Sequence, residues 1–462
     1  MSSEHHGNKL DVYIRWRPLD QSEAANGQIQ HQSTAGNGTS PLLSVSVTSP
    51  GPGDARSWRS PAAFKAVLGP QADNTHVYER IVAPAIPRIL AGSSCGVFAY
   101  GHSGSGKTHT IVGYDYEVGG GRLGLFLAAG RQLFAALESL NEQQHAAGGG
   151  EEEEARLGVG LSLFELRKNV AFDLLNERRE CHIREGSDGR VHVRGKTETL
   201  EGGKVRVQPL TQRACWTFDS LREELKRSIG KRAVGSSSVH DQSSRTHAVL
   251  KLEIVNQQLM EARRAVVDRE SELVPVGKLA TDIAIEEQSR GYMKNAEGVW
   301  VPNPDYQIDQ GRIDAAEAEK ARYESRVAAA GRRVGSVLAS DAAGCLGGTM
   351  VFADLAGAEY HAEKGAAQQA PLAKRQTPQE KQEGRQINTD LLALKEVIRA
   401  WSAGQARIPF RLSPLTMVLR EHFVGAGDGT SAMIVTVSPA AGQHSATLNS
   451  LRYGSLVGTA SS

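Results

Sequence analysis

Four cysteines among 462 residues, Cys95, Cys181, Cys215 and Cys345, form no C-x-x-C pair, which excludes a sequence-evident disulfide framework or zinc site and implies a reducing compartment. No apolar run approaches the roughly 18 residues that a membrane span needs, and the polar Met1 to Lys9 has no signal-like apolar core. The chain therefore reads as soluble and intracellular. It also lacks charge of one dominant sign. With 53 basic and 52 acidic residues the net is +1, so no global field draws it to nucleic acid or a membrane, and a polyanionic partner must meet a local patch. Length alone allows one large α/β domain or two to three ordinary ones.

Against this background one stretch stands out, Cys95 to Thr110, C-G-V-F-A-Y-G-H-S-G-S-G-K-T-H-T. An apolar strand runs into Gly101-His102-Ser103-Gly104-Ser105-Gly106-Lys107-Thr108, which fills every fixed position of the G-x-x-x-x-G-K-[ST] phosphate loop. Glycines let backbone N–H groups curl around phosphates, the following helix start adds partial positive charge, and Lys107 reaches the β/γ oxygens. Thr108 can offer its hydroxyl to Mg²⁺. Asp354, after the apolar strand Thr349 to Ala353, is placed to support Mg²⁺, and Gly357 can give its N–H to a γ-phosphate. Ser243, Ser244 and Arg245 form a second polar loop, and Arg245 and Glu359 are a candidate ion pair joining the two loops around a triphosphate.

Elsewhere, Leu10 to Pro18 reads as a first strand, Leu42 to Val47 as another, and Asp73 to Leu90 as a helix interrupted at Pro84 and Pro87. Helices are expected over Leu123 to Leu140, Trp216 to Ser228, Ile387 to Trp401, Pro414 to Phe423 and Ser445 to Leu456. Strands are expected over Val159 to Glu165, Val170 to Leu175, Ala248 to Val255 and Ala432 to Val437. The run His145 to Glu154 reads as a low-complexity, solvated excursion. Leu259 to Leu346 differs in character: charged helical patterns flank a Pro/aromatic middle, as in an inserted helical hairpin or a partly disordered excursion.

These motifs together resemble the kinesin motor domain family. Y-G-H-S-G-S-G-K-T-H-T is similar to the family's Y-G-Q-T-G-S-G-K-T-H-T, S-S-R-T-H to its switch I S-S-R-S-H, and D-L-A-G-A-E to its switch II D-L-A-G-S-E. Arg15-Trp16-Arg17-Pro18 resembles the R-x-R-P segment beside the adenine, implying Arg15, Pro18 and His109 as the base pocket. The motifs at Ile387-Asn388, Pro409-Phe410-Arg411, Leu415-Thr416 and Leu448 to Tyr453 follow in family order. The resemblance covers roughly Leu10 to Val255 and Gly347 to Val457. Leu394 to Arg399 and Ile408 to Arg411 are similar to the internal-motor branch that dismantles microtubule ends, while the K-V-D finger and basic neck of that branch are absent from this sequence.

What the resemblance implies is an α/β P-loop NTPase motor domain over residues 10–458, its central mostly β-sheet sandwiched between helices, with 259–346 an insertion. It implies ATP and Mg²⁺ as cofactors, the metal held through Thr108, Ser244 and Asp354, and microtubules as the partner of a cytoplasmic, cytoskeletal ATP hydrolase. Lys395, Arg399, Arg407, Arg411 and Arg420 make the implied microtubule face, where a local excess of positive charge suits acidic tubulin. Three departures, His240, Ala358 and Pro414, stand where the family has Asn, Ser and Lys, and His240 and Ala358 favour the alternative of a catalytically weak or inactive kinesin-like microtubule-binding scaffold. A nucleic-acid-directed NTPase lacks a basic stripe or base-stacking motif here. No dimerising coiled coil is read in the sequence, so a monomer is expected. Strand direction puts the insertion at the end of the sheet opposite the nucleotide.

Overall fold

The computed structural model describes residues 9–25, 27–35, 41–48, 57–116, 123–146, 153–186, 189–232, 245–341, 343–358, 378–424 and 430–460. In chain order the strands are β1 (Lys9–Trp16), β2 (Gln30–Ala35), β3 (Leu43–Thr48), β4 (Ser57–Arg59), β5 (Ala66–Leu68) and β6 (Ser94–Tyr100). Then come β7 (Gly158–Arg167), β8 (Val170–Asp173), β9 (Arg179–Glu185), β10 (Val191–Thr199), β11 (Val205–Pro209) and β12 (Arg213–Cys215). The last are β13 (His247–Val255), β14 (Tyr292–Lys294), β15 (Trp300–Pro302), β16 (Thr349–Asp354) and β17 (Thr430–Val437).

Twelve of these form one mixed sheet in the order β11-β10-β9-β8-β7-β13-β16-β6-β17-β1-β5, with β12 branching from β7. β16, β6, β17, β1 and β5 are mutually parallel, and β13 runs antiparallel between β7 and β16. Side chains alternate across a strand, and here both faces are covered. Cys95, Val97 and Ala99 of β6 therefore enter one apolar core while Phe98 and Tyr100 enter the other. The helices Leu125–Ala146 and Phe218–Lys231 cover the first face, and Pro378–Ser402 and His444–Ala460 the second. Burial on both faces is why β6 and β16 read as continuous apolar runs.

The helix expected between Asp73 and Leu90 is a relay of short turns: α-helix Asn74–Val77, π-helix Tyr78–Val82, a 3-10 turn Ala83–Ala85 and α-helix Ile86–Ile89. Pro84 and Pro87 lack the N–H that a continuous helix needs.

Residues 257–340 form two long helices, Gln257–Gly291 (35 residues) and Gln310–Ser340 (31 residues), rather than a disordered excursion. Asn256 and Asp309 cap their starts by accepting from the backbone N–H of Leu259 (2.8 Å) and Arg312 (2.9 Å). In the first helix, positions taken at alternate steps of three and four from Leu259 to Glu287 are all buried or half-buried. In the second, the same steps from Ile313 to Val337 are all half-buried. That is the repeat of a coiled-coil seam, here within one chain. The Pro/aromatic middle holds a ribbon that the sequence pattern did not predict, β14 paired antiparallel with β15. At this distal end buried Glu287 accepts from the Tyr306 hydroxyl (2.6 Å), the Asp309 N–H (3.0 Å) and Arg312 (2.7 Å), which hold its carboxyl down to about 2.

The root of the hairpin lies on the edge strand β11, where Arg206 pairs with Asp268 at 2.6 Å. β13 starts and β16 ends at the phosphate-loop edge, and Glu253 faces Thr349 at the other end. Thr349 and Glu253 thus stand about 17 Å from Asp354, at five steps of strand rise, and the insertion lies beyond them. Gly203, at the β10–β11 turn, lies beside Pro275 of the first insertion helix. The opposite end of that lobe, the β9–β10 loop, meets Arg420 through the Gly189 carbonyl (3.3 Å). The distal hairpin therefore leaves from the end of the lobe remote from Arg420.

Candidate functional site

The phosphate loop leaves β6 at Gly101 and turns into the helix Lys107–Ile111. Gly104 (φ 74°) and Gly106 (φ 99°) adopt the left-handed conformation that glycine takes without steric cost, and Gly106 is the residue at which the helix begins. A methyl on Gly101 would stand 2.3 Å from the Thr436 carbonyl oxygen, so this position admits only glycine. Ser105 is buried, its hydroxyl 2.7 Å from that of Thr436, which ties the loop to β17, whereas Ser103 and Gly104 are exposed. His102 is buried, its Nδ1 2.8 Å from the Ser103 carbonyl and its Nε2 3.3 Å from the Thr447 hydroxyl, and burial lowers its pKa to about 4.

Lys107 is 5% exposed and donates to the carbonyls of Gly101 (3.1 Å) and His102 (2.9 Å). Burial brings its pKa down to about 8, against a smaller opposing attraction from Asp354. Asp354 is fully buried, and its Oδ2 accepts from the Thr108 hydroxyl (2.8 Å) and from Arg232 (3.0 Å). Its Oδ1 is buried without a hydrogen-bond partner, as expected of a carboxylate that has a further ligand to meet. Beyond Asp354 the chain runs beside the phosphate loop: Leu355 donates to Ala99 (3.2 Å) and Ala358 to Gly101 (3.3 Å). A methyl on Gly357 would lie 2.8 Å from the Ser103 backbone nitrogen. His247, at the start of β13, accepts the Ala356 N–H at 3.0 Å.

Arg232 is the site residue that motif reading misses. It follows the helix Phe218–Lys231, donates to the Thr246 carbonyl (3.0 Å) as well as to Asp354, and lies 4.0 Å from Glu165. Glu165 is itself held by Arg178, whose Nε lies 2.8 Å away. Asp354 is thus the meeting point of Thr108, Arg232 and the Glu165–Arg178 pair behind them. A lone Lys-Arg at a helix end carries no motif, so only the fold brings it in.

Arg15 is 5% exposed, with its guanidinium on Asn74 Oδ1 (2.6 Å), the Thr110 hydroxyl (2.8 Å) and the Ala72 carbonyl (3.3 Å). Asn74 in turn donates to the His109 carbonyl (2.9 Å), so Arg15 braces the backbone at His109. Pro18 is exposed and His109 half-buried, its ring 5.8 Å from that of Tyr114. Arg17, unassigned from sequence, borders Gly106 and forks onto Glu23 (2.7 and 2.5 Å). Arg245 is half-buried at the foot of β13. Ser243, Ser244, His240 and Glu359 lie outside the described residues, and with them the expected Arg245–Glu359 latch.

On the second face of the sheet, Lys395 and Arg399 are one turn apart on Pro378–Ser402, Arg399 pairing with Glu396 at 2.9 Å, and Arg407 is exposed. Arg411 and Arg420 converge on Glu185 at the end of β9. No group of residues with metal-ligand composition occurs among the described residues, and none of their helices is long and apolar enough to cross a membrane.

This arrangement, a phosphate loop on the central parallel strand with a buried acid on the next, is that of a P-loop domain. The kinesin motor domain family model matches residues 15–284 and 335–459, and the chain belongs to that family. It is 28% identical over 461 residues to the kinesin-like protein KIN-13A of Oryza sativa subsp. japonica, covering 98% of this chain and 41% of that one. Against the kinesin-like protein KIF24 of Homo sapiens it is 27% identical over 394 residues, covering 85% and 20%. The chain thus spans less than half the length of these relatives. Among solved structures, a fast kinesin matches with TM-score 0.57 at 20% identity, covering 98% of this chain and 92% of that one. The motor domain of a Kar3-like kinesin from Ashbya gossypii gives 0.55 at 20%, covering 97% and 99%. At such identity these two attest to the fold alone.

Proposed function

We propose that this chain is a motor ATPase that binds Mg·ATP at the phosphate loop and couples its hydrolysis to work on microtubules. The observation that carries the reading is Asp354: buried, hydrogen-bonded to the Thr108 hydroxyl, and with its other oxygen without a hydrogen-bond partner among the described residues. The donor set fits the family's cofactor. Lys107 and the loop N–H groups would hold the phosphates, Thr108 and Ser244 the metal, and Asp354 its outer shell, with Arg15, Pro18 and His109 around the base. Bound Mg²⁺ neutralises phosphate charge, while Arg245 and Glu359 would form the latch that positions the attacking water and Gly357 would donate to the γ-phosphate. Lys395, Arg399, Arg407, Arg411 and Arg420 would contact tubulin, and residues 259–346 would act as a binding or spacing element of a monomeric, cytoskeletal protein.

Ala358 supports a second reading, a weakly hydrolysing or inactive microtubule-binding scaffold, because a buried methyl stands where the family places a hydroxyl. One experiment separates the two: steady-state ATP turnover by the purified chain with and without microtubules, beside co-sedimentation. Turnover that rises with microtubules supports the motor; binding without turnover supports the scaffold; neither overturns both.

A further inference from the structure

The expected microtubule face contains an acid from a distant part of the chain. Glu185 ends β9, some two hundred residues earlier. Its Oε2 accepts from the Nε (2.9 Å) and Nη2 (2.5 Å) of Arg411, and its Oε1 from Nη1 of Arg420 (2.9 Å). Arg420 is further fixed by the Gly189 carbonyl (3.3 Å) and by lying 5.8 Å over the Phe410 ring. The two arginines hold the Glu185 carboxyl below the usual carboxylate range, Arg411 more than Arg420. The side chain of Arg411 nevertheless remains 80% exposed and that of Glu185 only 24%.

A carboxylate shared by two guanidinium groups satisfies donors that an acidic partner would otherwise receive. We propose that Glu185 is a resident stand-in for a tubulin carboxylate: it occupies the Arg411–Arg420 fork in the unbound protein, and an acidic side chain of the track displaces it. This rests on the microtubule reading above and adds to it a specific internal competitor. Because the fork is at the surface, the competition is modest and weakens with salt.

The test is co-sedimentation of the whole chain with microtubules across a salt series, for the wild type and for Glu185→Gln, which keeps the shape and removes the charge. Glu185→Gln is expected to bind about two- to tenfold more tightly at low salt, with the difference shrinking as salt rises. Equal or weaker binding overturns the proposal, since Glu185 would then organise the arginines rather than occupy them. Glu185→Ala, melted in parallel, guards against a packing artefact. If both variants fail to fold, Glu185 is a structural pin and the proposal falls. Failure of the wild type to sediment at any salt instead removes the microtubule reading itself.

Discussion

Lys107 donates to two carbonyls of its own loop, and a nucleotide bound there would have to draw it from them. A buried ammonium with its pKa brought from 10.5 to about 8 gains stability only as pH rises through that window. Below pH 8 the charge costs the empty protein on the order of 3 kcal/mol. Lys107→Met is therefore expected to raise the melting temperature without nucleotide at pH 7 and to abolish the further rise that Mg·ATP gives; thermal unfolding with and without Mg·ATP checks both. His102 has the same direction of shift in the acid range. Its pKa falls from 6.5 to about 4, so its stabilising effect is complete above 6.5 and is lost as pH falls through 4. His102→Gln should flatten the acid limb of a stability profile between those values by on the order of 3 kcal/mol, and an unchanged limb would assign the loss to other groups. At this scale Lys107 and Thr108 were legible as candidates because a fixed spacing carries them, and Asp354 because it ends an apolar strand. Arg232 and Glu185 were hidden because neither lies in a motif and only the fold brings them to Asp354 and to Arg411 and Arg420.

Elements were legible where one pattern decided them. β6 and β16, buried on both faces, read as unbroken apolar runs, and the helix Phe218–Lys231 sits within two or three residues of its expected limits. β9, β10 and β11 escaped notice because all their residues except Cys181 are half-buried or exposed, and a polar strand at a sheet edge leaves little alternation to find. The insertion could be recognised as helical, but whether its helices paired could not be judged from either alone, since the second buries no residue fully. Replacing 259–346 by a short Gly/Ser turn should leave nucleotide affinity and basal hydrolysis in place. It should also lower the melting temperature, because β11 loses the helix that covers it and Arg206 loses Asp268. Fluorescent-nucleotide titration beside a melting curve measures both, and loss of nucleotide affinity in a folded product would contradict the placement.

Across the whole molecule, near-neutral net charge and a basic face coexist because opposite charges are sorted by position rather than by composition. Lys395 and Arg407 make no contact with Glu185, so reversing both to Glu tests the face without disturbing that acid. Microtubule affinity is expected to fall about tenfold or more at low salt while the melting temperature stays close to that of the wild type; undiminished co-sedimentation would move the contact elsewhere. The hairpin adds a mechanical consequence. Its first helix touches the sheet as far as Pro275 and runs on to Gly291, about 24 Å further, so a turn of about 10° at that contact would sweep the tip through about 4 Å. Anchored to the edge strand β11, the rod would act as a pointer, turning a small rotation of the sheet into a displacement of several ångströms at Trp300.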